Sequence, residues 1–204
     1  MRCLEKGRDL LYYVFMDKTS LRKKLRVKRN CLPQTELAPQ SRLIIKKLSG
    51  LIPFKKGMTV MAYISTQSEV RTAPLINYLH KTGATVCVPW VRGNDIVPVI
   101  LTKGNHLKKD AYGIKVPVIK KVITNMKKID VVAAPGIGFD IHGNRIGFGK
   151  GYYDRFLKKL PSKTIKAALA FSCQLVKNIP AEKHDIKMDF IITEKEIVNC
   201  RDTR

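Results

Sequence analysis

Apolar positions near the start of the chain recur with a helical period. Over Lys18–Asn30 (KTSLRKKLRVKRN), Leu21 and Leu25 share one face, while Lys18, Arg22, Arg26 and Arg29 follow spacings of four, four and three along another. Pro33 ends this helix, and Glu36 to Leu48 forms a second amphipathic one on Leu37, Ile44, Ile45 and Leu48. The pattern then changes to short apolar runs of strand type at Thr59–Ile64, Thr85–Val88, Ile96–Leu101, Val131–Ala134, Lys166–Phe171 and Phe190–Ile192. Helical spacing returns over Thr72–Lys81, which Gly83 stops, and over Gly151–Leu160.

Several of these strands are unbroken apolar runs rather than alternating ones. A strand buried on both faces reads that way, so the expected fold is α/β: a three-layer α/β/α sandwich around a mostly parallel sheet. No repeat or low-complexity linker interrupts the chain, and one domain is expected over residues 18–204. Residues 1–17 form an extension. Its apolar run, Leu10 to Met16, follows Glu5 and Asp9 and leads into Met16-Asp17-Lys18 with no small-residue cleavage site, so a signal peptide is not expected. The run is either an extra segment packed on the body or a stretch ahead of a true start at Met16.

Composition narrows the partners less than it first suggests. The 204 residues are 45% hydrophobic, enough for a real core, and carry 39 Lys+Arg against 16 Asp+Glu, a net charge of +23. Nucleic acid, an acidic membrane surface and small polyanionic substrates are all compatible with that excess. The five cysteines (Cys3, Cys31, Cys87, Cys173, Cys200) are odd in number, widely spaced and without C-x-x-C, which fits a reducing, cytoplasmic compartment better than a disulfide framework or a zinc site. No apolar stretch approaches the ~20 residues that span a bilayer, and no membrane partner is expected.

One segment stands apart. Between Ala134 and Asp154 (APGIGFDIHGNRIGFGKGYYD) lie six of the 13 glycines, with Gly147, Gly149 and Gly151 alternating after a strand and just before a helix. Such a stretch lets consecutive N–H groups converge on an anion, and Lys150 adds a full positive charge. It is neither a Walker A loop, since Lys150 is followed by Gly151-Tyr152, nor a Rossmann turn, since the third glycine comes one residue early. A purely architectural glycine-rich hairpin is the competing interpretation.

The motif P-G-x-G-F-D-x-x-G-x-R-x-G-x-G-K-G-Y-Y-D resembles the signature of the 5-formyltetrahydrofolate cyclo-ligase (methenyltetrahydrofolate synthetase) family. Lys18-x-x-Leu21-Arg22, Tyr63-Ile64-Ser65-x-x-x-Glu69-Val70-x-Thr72, Leu169-Ala170-Phe171 and Asp185-x-x-x-Asp189 resemble further family segments, in family order, from about Lys18 to about Thr193. The resemblance implies an architecture like that of NagB/RpiA/CoA-transferase-like proteins. It also implies ATP- and Mg²⁺-dependent conversion of 5-formyltetrahydrofolate to 5,10-methenyltetrahydrofolate, ADP and phosphate by a monomer acting on small molecules, with no specific nucleic acid.

Carried over residue by residue, the resemblance implies ATP binding by Lys18, Arg22 and the loop Arg145, Ile146, Gly147, Phe148, Gly149, Lys150, Gly151, Tyr152 and Tyr153, with Lys150, Arg145 and Tyr152 catalytic. It implies folate contacts from Ile64, Glu69, Tyr112, Phe148 and Tyr152, and magnesium-side acids at Asp154 and Asp189, with Asp140 and Asp185 as structural supports. Read without the family, Lys18 and Arg22 are a solvated cationic face, Glu69 a loop carboxylate beyond a strand end, Asp154 a favourable charge near a helix start, and His142 a loop histidine without an acid–base partner. Two positions depart from the pattern. Phe148 stands where the family usually has a basic residue, with Arg71 a candidate substitute, and Val116 replaces a common glutamate. Two alternatives stay open at this level: a nucleic-acid-binding protein on an altered scaffold, and a ligase of the same family acting on another N-formyl compound.

Overall fold

A computed structural model describes residues 16–110, 113–182 and 184–202. Tyr112 and the extension up to residue 15 lie outside the described residues. Helix α1 (Lys18–Asn30) begins where Asp17 Oδ1 accepts from the backbone N–H groups of Thr19 and Ser20, at 2.7 and 2.9 Å. Met16 packs on the cluster that includes Leu21 and Leu25, so Met16 and Asp17 belong to the body and not to the extension. Arg29 also differs from its expected placement. It is buried on the Leu21–Leu25 face, because a step of four from Leu25 continues that stripe as directly as a step of three from Arg26 continues the cationic one.

Helix α2 (Gln34–Leu51) runs three residues past the sequence expectation at its C-terminal end. The chain then builds β1 (Thr59–Met61), α3 (Ala73–Thr82), β2 (Thr85–Arg92), β3 (Asp95–Ile100), β4 (Leu107–Lys109), β5 (Lys115–Pro117), β6 (Val131–Ala134), β7 (Gly138–Asp140), β8 (Arg145–Ile146), α4 (Tyr152–Lys158), β9 (Ile165–Leu169), β10 (Leu175–Val176), β11 (Phe190–Ile192) and β12 (Ile197–Asn199). Seven strands form the central sheet in the order β12-β11-β9-β6-β1-β2-β3. Pairings from β11 through β2 are parallel, and the edge strands β12 and β3 are antiparallel.

The unbroken apolar strands divide their residues between two cores. Val60, Val86, Val131, Ala133, Ala167 and Ile192 face a core with α2 and α3, while Met61, Cys87, Val132, Ala134, Ala168 and Ile191 face one containing Phe156 and Leu157 of α4. The period-2 side-chain alternation of a strand makes both sets apolar when both faces are covered. The result is the three-layer α/β arrangement. Helix α1 sits apart from the two large cores. Leu21 and Leu25 pack with Ile137, Ile146 and Val176 over a small sheet of order β10-β7-β8. That sheet was not legible as strands in the sequence because its members are two or three residues long and none forms an apolar run of three.

Candidate active site

The topology marks one place on the sheet. From β1 the chain proceeds through α3 to β2 on one side, whereas from β6 it proceeds through α4 to β9 on the other. β1 and β6 are neighbours, so the segments leaving their C-terminal ends diverge around a crevice, where open α/β sheets bind ligands. The segment after β1 carries Glu69, and the segment after β6 is the glycine-rich one.

Glu69 is held in a tight turn. Its backbone N–H donates to Thr66 O at 2.9 Å, and its Oε2 accepts from Thr66 N at 2.9 Å and Thr66 Oγ1 at 3.1 Å. Within this turn Gln67 adopts a left-handed φ of 41°. The carboxyl is only 8% exposed, and burial raises its pKa against the opposing pull of the Thr66 bonds, Arg29 and Arg71. Ile64, at the start of the same segment, is half-buried against the α2–α3 core. Arg71, the candidate substitute for a missing loop cation, lies beside Glu69 and reaches Gln34 Oε1 at 3.5 Å.

The glycine segment leaves β6 and folds through β7 and β8. Asp140 is fully buried and accepts from the N–H groups of His142, Asn144 and Ile179 and from Asn144 Nδ2, at 2.8–2.9 Å, consistent with a supporting role. A Cβ on Gly138 would overlap Leu25 Cδ1, so glycine here is what allows α1 to close on the small sheet. Arg22 on α1 donates from Nε to Gly147 O at 2.8 Å and lies beneath Gly149, whose φ of 98° requires glycine. Phe148 and Lys150 project outward at the loop tip, Phe148 with 56% exposure. Gly151, at φ 65°, turns the chain into α4.

At the base of the loop, Arg145 is buried. Its Nη2 donates to Asp154 Oδ1 at 2.9 Å, its guanidinium stacks 5.4 Å from the centre of the Tyr153 ring, and its Nε has no partner among the described residues. The Tyr153 hydroxyl is likewise buried without a partner, and its pKa is driven well up, first by burial, with Arg145 opposing and the Glu69 charge adding to the rise. Glu69 also acts on the buried Tyr63 hydroxyl, which donates to Val70 O at 3.1 Å. Arg145, Tyr153 and Glu69 therefore share one electrostatic environment although they come from two segments. Tyr152 turns its ring to Arg155, whose guanidinium is 5.3 Å from the ring centre.

Other expected site residues sit differently. The Lys18 ammonium is ion-paired with Asp185 Oδ2 at 2.6 Å and Glu182 Oε1 at 2.9 Å, so α1 reaches the glycine loop through Arg22 and the 182–185 segment through Lys18. Asp189 is 3% exposed. Its Oδ2 accepts from Lys166 N at 2.7 Å with Lys166 Nζ at 3.6 Å, and its Oδ1 is 3.6 Å from Arg201 Nε. A carboxylate so enclosed by cations does not fit a magnesium ligand, and we read it as structural; Asp154, partly exposed beside the loop, fits one. Among the described residues no group of three or more His, Cys, Asp and Glu side chains could hold a metal. Sequence reasoning overlooked Glu182 and also Gln174, which donates to Gly136 O at 2.9 Å, and it set Arg29 on the cationic face although its spacing of four from Leu25 was a signal of burial.

A family model described as the 5-formyltetrahydrofolate cyclo-ligase family matches residues 14–194. The chain is 31% identical over 189 residues to 5-formyltetrahydrofolate cyclo-ligase of Mus musculus, covering 87% of this chain and 93% of the mouse protein. It is 25% identical to the Escherichia coli protein of the same name, covering 85% and 98%. Among solved structures it is similar to the 5,10-methenyltetrahydrofolate synthetase of Aquifex aeolicus, with 35% identity, a TM-score of 0.79 and coverage of 93% and 95%. The Mycoplasma pneumoniae synthetase matches with 26% identity, a TM-score of 0.71 and coverage of 88% and 99%.

Proposed function

From the premise that the chain belongs to the 5-formyltetrahydrofolate cyclo-ligase family, we propose that it converts 5-formyltetrahydrofolate and ATP to 5,10-methenyltetrahydrofolate, ADP and phosphate. The single observation that carries this reading is the pairing of the Glu69 turn with the Arg145–Asp154 loop at the C-terminal ends of adjacent strands. One side offers a buried carboxylate for hydrogen-bond donors of a pterin, and the other a glycine loop and cations for a triphosphate.

The chemistry needs a leaving group. In the formyl amide, oxygen cannot depart as it stands. When it attacks the γ-phosphorus of ATP, ADP leaves and the oxygen becomes a phosphate ester. N10 of the folate then attacks the activated carbon and gives up its proton to solvent, phosphate departs with the bonding pair, and the ring closes as an amidinium. The protein's task is to align two substrates and neutralise moving charge. Lys150 at the exposed tip meets the transferring phosphoryl group. Arg145 sets Tyr153 and Asp154, Arg22 anchors the loop through Gly147 O, and Tyr152 supplies a ring for a flat heterocycle. Asp154 would hold Mg²⁺, which supplies charge neutralisation of the phosphates when bound. Lys18 enters this scheme by sharing its ammonium with Asp185 and Glu182. The same proposal includes a monomer in a reducing, cytoplasmic compartment. Among the described residues no helix is long and apolar enough to cross a membrane.

Incubation with 5-formyltetrahydrofolate, ATP and Mg²⁺ tests the proposal. The near-ultraviolet absorption band of the methenyl product should grow in step with ADP release. Absence of the band, with tight and salt-dependent RNA binding in its place, would overturn it.

A further inference from the structure

Arg29 is a charged side chain with 3% exposure, on the helix face otherwise made of Leu21 and Leu25. Burying a guanidinium costs free energy unless its donors find acceptors, and here two of those acceptors come from the two segments that frame the crevice. Nε donates to Ser68 Oγ at 3.1 Å, one residue before Glu69, and Ser68 Oγ in turn donates to Asn30 Oδ1 at 2.5 Å. Nη1 donates to Gly136 O at 3.3 Å, in the first turn of the glycine segment, where Gln174 Nε2 also converges. The charged and titratable groups around it are Glu69 and Tyr63 from the β1 segment, Arg26 from its own helix, and Cys173. Glu69 in turn faces Arg29, Arg71, Tyr63 and Tyr153.

We infer that Arg29 is a positioning residue that ties the turn carrying Glu69 to the first turn of the glycine loop, so that the folate side and the nucleotide side of the crevice keep one spacing. The inference rests on the function proposed above. Its physical basis is the planar fork of the guanidinium, whose fixed donors can serve two acceptors in different segments at once. A lysine would preserve the charge beside Glu69 but not the two-way bridge. The bridge fixes geometry, and the charge keeps Glu69 available as a carboxylate in a buried turn. These two contributions are separable by substitution.

Arg29→Met and Arg29→Lys in the full chain distinguish them, with amide hydrogen exchange and pH-dependent kinetics as readouts. In Arg29→Met, exchange should quicken together at residues 66–69 and 136–138 and not in α3, and KM for 5-formyltetrahydrofolate should rise about 10- to 100-fold, the scale of a lost charged hydrogen bond. Its acid limb should move to higher pH, because removing the cation raises the Glu69 pKa. Arg29→Lys should restore the acid limb without restoring the exchange protection. Ser68→Ala, which removes the Nε acceptor together with the Ser68–Asn30 hydrogen bond but leaves the bond to Gly136 O, should loosen residues 66–69 and leave 136–138 protected, and it serves if Arg29→Met does not fold. Exchange spread evenly over the molecule, or confined to α1, would overturn the inference, as would an unchanged folate KM in both Arg29 variants. Inactive wild-type protein would instead overturn the proposed function, and the exchange comparison would still decide whether Arg29 joins the two segments.

Discussion

Arg145 donates to Asp154 Oδ1 at 2.9 Å, nine positions further along the chain, and the stretch between them includes the whole tip of the glycine loop. The pair closes the loop at its base, with the arginine buried and the aspartate partly open. Removing the acceptor strands a buried cation whose Nε is already unpaired. Asp154→Ala should therefore cost about 1.5–3 kcal/mol of stability, the worth of a hydrogen bond to a charged group, and abolish turnover at every magnesium concentration. Urea unfolding beside a magnesium titration checks this; unchanged stability would mean the pair does not close the loop.

Lys150 stands at the exposed tip. Lys150→Ala should remove folate-dependent ATP turnover while changing stability by no more than about 0.5 kcal/mol, as expected for a surface site. Turnover at the wild-type rate would exclude a role for this ammonium on phosphate.

Glu69 should behave as a residue kept at a cost. Burial raises its folded pKa above the unfolded one, so its charged form opposes folding once the pH exceeds the unfolded pKa near 4.5. Glu69→Gln should accordingly be more stable than wild type at neutral pH, with the gap narrowing as acid protonates Glu69, while KM for 5-formyltetrahydrofolate rises. Denaturation midpoints measured from pH 4 to 8 would show the opposite trend if the carboxyl were stabilising.

The Lys18–Asp185 pair gives the reverse dependence. For Asp185, burial acts upward but the Lys18 and Glu182 N–H bonds outweigh it and lower the pKa; for Lys18, burial acts downward but Asp185 and Glu182 outweigh it and raise the pKa. The aspartate contribution is present above its unfolded pKa and lost as pH falls through the lower folded value. The lysine contribution is present below its unfolded pKa and lost as pH rises through the higher folded value. Asp185→Asn should be less stable than wild type across mid-range pH and should converge with it in acid, once the pH has fallen through the lowered carboxyl pKa. A difference that persists in strong acid would assign the effect to something other than this charge.

Local signals in the sequence reached much of the fold. The exact span of α1 followed from the spacing of Leu21 and Leu25 and the stop before Pro33, and Val131–Ala134 and Phe190–Ile192 are strands with the expected limits. The glycine loop was legible because Gly149 and Gly151 adopt backbone angles that side-chain-bearing residues rarely do. The small sheet was not, since strands such as Arg145–Ile146 are too short to establish a period. Arg29 was misplaced because its position fits both faces of one helix, and only packing chooses between them.

Legible in the chain alone were the chemistry-bearing residue types, the loop that carries Arg145 to Asp154, and an α/β frame with both sheet faces covered. Each of these depends on contacts or backbone angles within a few residues. Long-range packing assigned the partners: Arg22 under the loop, Lys18 with Asp185, Asp189 enclosed by Lys166 and Arg201, and Arg29 between two segments. Those partners lie from 12 to 167 residues away. A charge does not reveal its counter-ion by its own spacing; burial and the order of strands in the sheet do that.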